Sequence, residues 1–200
     1  MTIDRGVLDV EFQTDRLTFR RLTEADVSER WAGWLNDPVA ARMLNARPRS
    51  FSQDELRDYV RKFDGRQRWL LGIFDRGSGR HIGIATGEVI ENGTKFIPSI
   101  LIGEPEYRNL GTLTEILDNQ GDHFFEHLGF EATVATVLAH NTPVIAFLES
   151  RGFRRVRVMP GHKKSAQGGP DIDLLVYEFS RADWREYRKK SMPDPERRED

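Results

Sequence analysis

Cysteine is absent from this 200-residue sequence. That removes disulfides, thiolate catalysis and cysteine-ligated zinc together. An excess of either charge is missing as well: 30 Lys and Arg stand against 32 Asp and Glu, a formal net charge of -2. So even a balance gives no electrostatic footprint for nucleic acid. No apolar run approaches the roughly 20 residues that span a bilayer, and the N-terminus lacks a signal-peptide core. The expectation is a soluble, cytoplasmic protein with no nucleic-acid or membrane partner. What is present is ordinary for a globular chain, with 38% hydrophobic and 31% charged residues. That suffices for one compact domain with a core.

The pattern places a domain at 14–190 between a loose lead-in (1–13) and a disordered tail (191–200). Alternation over Arg16 to Leu22 predicts a strand, and Thr23 then caps a helix carrying Val27, Trp31, Trp34 and Leu35 as far as Pro38. A helical turn from Val39 to Leu44 follows. Ser52-Gln53-Asp54-Glu55 is a capping box that opens a helix with Leu56, Tyr59, Val60 and Phe63 on one face. Trp69–Phe74 and His81–Ile90 read as antiparallel strands turned by Gly77-Ser78-Gly79, and Asn92-Gly93 is a hairpin signal leading into Lys95–Gly103. Leu113, Ile116, Leu117, Phe124 and Leu128 share a helical face that Gly121 weakens by roughly 1 kcal/mol. Strands at Ala132–Leu138, Phe153–Met159 and Asp173–Phe179 follow. A short helix capped by Asn141 separates the first two, a loop covers Gly161–Pro170, and a helix from Ala182 to Lys189 closes the domain. The class is α/β, a mixed and mostly antiparallel sheet with helices on both faces.

The organising stretch runs from Phe96 to Phe130. It is a strand, a turn containing Arg108-Asn109-Leu110-Gly111-Thr112-Leu113, and a helix. Free amides at a helix N-terminus, with the helix dipole behind them, suit a phosphate. Gly111 permits close approach, while Leu113 stands where a second glycine would help. Taken alone, the stretch reads first as a plain strand-to-helix turn.

These residues resemble the GCN5-related N-acetyltransferase superfamily, in particular its ribosomal-protein-alanine and amino-sugar acetyltransferase branch. Thr14-Asp15-Arg16-Leu17 with Leu22 and Asp26 looks like that branch's opening, and Trp34-Leu35-Asn36-Asp37 is similar to a segment of its amino-sugar members. Tyr107 to Glu115 looks like the acetyl-CoA pyrophosphate loop, Arg/Gln-x-x-Gly-x-Gly/Ala. Asn141 with Phe147-Leu148-Glu149 and Gly152-Phe153 resembles the last cofactor-binding helix, and Tyr177 to Trp184 the ending. The resemblance implies acetyl transfer from acetyl-CoA to a primary amine. It implies a splayed central strand whose Leu101, Ile102 and Gly103 bind the pantetheine amides. Amides from Asn109 to Leu113, with Arg108, would hold the pyrophosphate, Asn141 would contact the pantetheine arm, and Phe147 would flank the thiol. There are departures: Leu113 replaces the loop's final small residue, Leu148 stands where many members carry a general-acid tyrosine, and the strand's usual carboxylate gives way to an apolar run through Ile97 and Pro98. Proline there also removes a ladder donor, as an edge or bulge would allow.

An attacking amine must first lose a proton. Glu88, on the neighbouring strand amid apolar residues, is the leading acceptor, with a solvent-facing strand glutamate as the alternative reading. His140, before Asn141, is a proton relay or a surface histidine. Ser99 is a substrate contact or a plain strand serine, and Trp31, Trp34 and Asn36 wall a substrate pocket or, for the tryptophans, fill the core. Lys163-Lys164 would suit a phosphate on a nucleotide sugar, or is a solvated loop. His123 and His127 lack a convincing carboxylate, so no metal is expected. The expected activity is acetyl transfer to a small-molecule amine, an amino sugar before a protein N-terminus, in a possible homodimer. The alternative is a non-catalytic member of the fold serving binding or dimerisation.

Overall fold

A computed structural model describes residues 4–191. The elements are β1 (Phe12–Gln13), β2 (Leu17–Arg21), α1 (Glu29–Gly33), α2 (Pro38–Met43), α3 (Gln53–Val60), β3 (Arg68–Asp75), β4 (His81–Ile90), β5 (Lys95–Ile102), α4 (Leu110–Gly121), β6 (Ala132–Leu138), α5 (Thr142–Ser150), β7 (Arg154–Lys163), β8 (Ile172–Ser180) and α6 (Arg181–Ser191). One eight-stranded sheet runs in the order β1-β2-β3-β4-β5-β6-β8-β7. Only β5 and β6 are parallel. The mixed, mostly antiparallel α/β class read from the sequence is the observed one.

Two cores flank this sheet. One joins Trp69, Phe96, Phe124, Phe130, Tyr177, Phe179 and Trp184, and the other joins Leu22, Trp31, Trp34, Leu56, Leu70 and Ile84. Covering both faces is why Trp69 to Ile73 is buried without alternation. The capping box forms as read: Glu55 N–H donates to Ser52 Oγ at 3.1 Å, and Ser52 N–H to Glu55 Oε2 at 2.8 Å.

Several elements differ from expectation. The lead-in is part of the core: Leu8 and Val10 are buried, Leu8 N–H donates to Gly65 C=O at 3.0 Å, and Phe12 stacks on Phe19 at 4.2 Å. Its signal was the alternation Leu8-Asp9-Val10-Glu11-Phe12-Gln13. The expected helix from Thr23 is broken, because Asp26 turns back to Thr23 N–H and to Arg20, Val27 is extended, and Ser28 caps α1 anew. The helix bearing Gly121 changes to a π-helical turn over Asp122–His127, whose extra residue per turn lets both Phe124 and Phe125 face the core. Gly121 itself is where that helix meets Trp184, since a Cβ there would lie 2.7 Å from the indole. Strand β7 reaches Lys163, through an irregular register after Met159, into what reads as a loop. Residues 192–200, which hold nearly all of the expected tail, lie outside the described residues.

Candidate functional site

Strands β5 and β6 pair at only two positions, Lys95 with Ala132 and Phe96 with Thr133. Beyond them the strands part, while β5 stays registered on β4 as far as Ile102 and β6 on β8 as far as Leu138. The opening between them is a cavity of about 550 Å³ walled by Pro98, Ile100, Leu113, Leu117, Ala135, Val137, Asn141, Phe147 and Leu148. That volume suits a ligand pocket, and the walls are mostly apolar.

Strand alternation decides which backbone groups face the opening. Thr94 C=O accepts from Glu131 N–H on the β6 side, and Gly103 N–H donates to Ile82 on the β4 side, both at 2.8 Å. The register between them is unbroken. Even-numbered residues of β5 therefore present their N–H and C=O to the opening, and odd-numbered ones bond to β4. Pro98 falls on the open edge, where its missing donor costs no ladder bond.

This geometry shifts the expected strand contacts. Leu101 turns its backbone to β4, Gly103 N–H is taken by Ile82, and Ile102 C=O accepts from Arg108 Nε at 2.9 Å. The groups left for a ligand are Pro98 C=O, Ile100 N–H and C=O, and Ile102 N–H. Arg108 also donates to Gly103 C=O at 2.7 Å and pairs with Asp37, whose carboxyl it holds below the usual carboxylate range. Arg108 thus fastens the end of β5 to the start of α2 instead of reaching outward. In the loop, Asn109 Oδ1 accepts from Thr112 N–H at 2.9 Å, and Leu113 N–H donates to Asn109 C=O at 3.2 Å. Of the five amides expected to meet a pyrophosphate, Leu110 and Gly111 are the open ones. The Leu113 side chain packs on the core beside Leu117 and lines the cavity.

Asn141 lines the cavity, and its side chain makes no cap bond, although it precedes α5. Phe147 is buried against the cavity, with the Arg151 guanidinium 4.0 Å above its ring. Arg151, which the sequence reading passed over, donates to Thr114 Oγ1 at 2.6 Å on α4, and its Nε has no partner among the described residues. It directly precedes the Gly152-Phe153 pair that was singled out. Lys163 lines the cavity, whereas Lys164 pairs with Asp171 at 2.7 Å.

A second cavity of about 510 Å³ lies on the α1–α3 side of the sheet, lined by Trp31, Trp34, Phe51, Leu56, Tyr59, Ile84, Thr86, Ser99 and Leu101. Leu44 and Ser99 line both cavities, so the two meet at β5. The two tryptophans are at once core and wall: both are nearly buried, and Trp34 Nε1 donates to Glu104 Oε1 at 3.1 Å. Gly103 lets the Trp34 ring lie flat against the backbone, in space a Cβ would occupy. Arg49, Glu55, Asp58 and Lys62 also line this cavity. The Ser52 backbone N–H and the Arg49 charge hold the Glu55 carboxyl below its ordinary range, and burial pushes the Tyr59 phenol up.

Three expected site residues stand apart. Glu88 is exposed, opposite Ile97 and two residues along the strand from Thr86, and lines neither cavity. His140 places Nε2 3.2 Å from Arg42 C=O, and Asn36 donates to Ser50 Oγ at 2.6 Å; neither lines a cavity. Among the described residues no group of three His, Cys, Asp or Glu could hold a metal ion, and no helix is long and apolar enough to cross a membrane.

A sheet opened between two parallel strands, with a helix N-terminus at its mouth, is built for an extended ligand with an anionic end. The acetyltransferase (GNAT) domain matches the chain over residues 16–154. The chain belongs to that family and is an N-acetyltransferase with acetyl-CoA as co-substrate. No curated protein matches it in sequence. Among solved structures, a GCN5-related N-acetyltransferase from Brucella melitensis superposes with a TM-score of 0.75 at 16% identity, covering 98% of this chain and 90% of that one. Spermidine N-acetyltransferase from Vibrio cholerae, in complex with CoA and spermine, gives 0.71 at 19%, covering 85% and 98%. The ribosomal-protein-S5-alanine acetyltransferase from Vibrio fischeri gives 0.71 at 15%, covering 88% and 99%. At these identities the likeness is one of fold.

Proposed function

We propose that this enzyme acetylates the primary amine of a small molecule, an amino sugar in preference to a polyamine or a protein N-terminus. The observation that carries this is the meeting of the two cavities at Ser99. The opening between β5 and β6 takes the pantetheine arm along Ile100, Ile102 and Asn141. The phosphates lie at the Leu110 and Gly111 amides and at Arg151. The second cavity takes the amine and delivers it at β5. Its aromatic wall suits the apolar face of a sugar ring. Its charges are mixed: Arg49 and Lys62 stand with Glu55 and Asp58. A polyamine, such as the spermine bound by the Vibrio cholerae enzyme, would want carboxylates unopposed by cations. A mixed lining suits an acceptor that carries one ammonium among hydroxyls.

Turnover with a panel of hexosamines, polyamines and peptides tests the reading, and activity confined to polyamines or peptides would sink it. Asp58→Asn is expected to raise the amine KM about 3-fold with kcat unchanged, in line with an exposed charge contact. Glu88→Gln should leave both constants within about 2-fold, because Glu88 is outside both cavities; a drop in kcat beyond about 10-fold would restore it as the base. Arg151→Gln should weaken CoA about 10-fold, the loss of one charged hydrogen bond. It should leave phosphate-free pantetheine unaffected, and calorimetry with the two ligands distinguishes the cases. Equal CoA affinity in variant and parent would remove Arg151 from the site.

A further inference from the structure

We propose that the Thr133 hydroxyl donates a hydrogen bond to the thioester carbonyl oxygen and holds the oxyanion as the amine attacks. This rests on the cavity between β5 and β6 being the acetyl-CoA site. Along the open edge of β5 the residues whose N–H could serve are 96, 98, 100 and 102. Phe96 lies at the last paired position, and Pro98 has no N–H. From Phe96 to Ile100 the edge therefore runs roughly 13 Å without a free donor, twice the usual spacing. The acyl end of the arm falls in that gap, because the phosphates sit at the far mouth, beyond Ile102.

Thr133 stands opposite Phe96 at the vertex of the opening and lines the cavity. It is only 5% exposed, and its hydroxyl has no hydrogen-bond partner among the described residues. A buried hydroxyl without a partner is unfavourable and rare. A ligand oxygen arriving at the vertex would satisfy it where the strand cannot. Of the other hydroxyls along the two cavities, Thr136 and Ser99 are exposed, and Ser99 sits opposite Thr86, which lines the amine cavity with it.

In the step, the amine lone pair forms the N–C bond and the carbonyl π pair moves to oxygen. The Thr133 O–H donates to that oxygen and keeps its own proton. The carbonyl re-forms, the C–S bond breaks, and CoA leaves as the thiolate. The proton lost from nitrogen balances it, giving amide and thiol.

The test compares Thr133→Val and Thr133→Ser with the parent enzyme. Calorimetry uses acetyl-CoA and CoA, and turnover uses hydroxylamine as a generic acceptor, read as acetohydroxamate. Thr133→Val is expected to lower kcat about 100-fold, the loss of one oxyanion donor. It should weaken acetyl-CoA about 3- to 10-fold and leave CoA unchanged, with a melting temperature no lower than the parent's. Thr133→Ser should keep activity within about 3-fold. Parental kcat in Thr133→Val, or an equal loss of CoA and acetyl-CoA affinity, overturns the proposal, as does a Ser99→Ala variant that alone loses the acetyl preference. Should the parent bind neither ligand, the cavity assignment fails first and this proposal falls with it.

Discussion

Ala135→Trp is expected to abolish acetyl-CoA binding while the protein stays folded. Ala135 lines the opening on the β6 side. An indole there would occupy the path of the pantetheine arm and cover Ile100. The cavity of about 550 Å³ has room for the ring without displacing the core, and filling a cavity commonly stabilises the unliganded state. For the parent, ligand at 100 times its Kd adds about 2.7 kcal/mol. In a chain of this size that is a rise in Tm of roughly 5–10 °C. The variant should show no rise and no turnover, with an unliganded Tm at or above the parent's. A parental shift in the variant would mean that the arm lies elsewhere.

The second large effect is one of pH. His81 sits mostly buried among Trp31, Trp34 and Phe74, with ring centroids 5.9, 5.0 and 4.7 Å away, and its Nε2 has no partner among the described residues. Burial pushes its pKa down from 6.5 to about 4, with Asp26, Arg20 and Arg30 as the nearby charges. The folded state therefore keeps the imidazole neutral where the unfolded chain binds a proton. Stability is full above about pH 6.5 and falls as pH drops towards 4, by up to about 3 kcal/mol in all. Below that both states are protonated and this contribution is flat. His81→Phe should remove that part of the decline, as read from urea midpoints at pH 7 and pH 4.5. Because His81 packs on Trp31 and Trp34, the same acidification should loosen the wall of the second cavity. A parental pH dependence in His81→Phe would place the acid sensitivity elsewhere, with Asp26, whose pKa lies at about 2, marking the lower window.

Much of the frame was legible because it is local. The capping box at Ser52, the Asn92-Gly93 turn with Asn92 at φ 58°, and the strands flanking the central turn all form from contacts between near neighbours. The family resemblance points Asn141 to the pantetheine arm and Phe147 to the thiol, and both line the opening between β5 and β6.

What the sequence by itself determined is a mixed sheet with a strand, turn and helix at its centre, since periodicity and turn chemistry act over a few residues. Only the tertiary structure decided which groups of that stretch are free. Arg108 reads as a phosphate ligand until Asp37, 71 positions away in sequence, claims it. Leu101 and Gly103 read as ligand-facing until alternation turns their backbones to β4. Glu88 reads as a proton acceptor or as a solvent-facing strand glutamate, and the fold leaves it exposed and outside both cavities. For Arg108, Leu101 and Gly103 the outcome depends on a partner distant in sequence, and hydrogen-bonding capacity used by that partner is lost to a ligand.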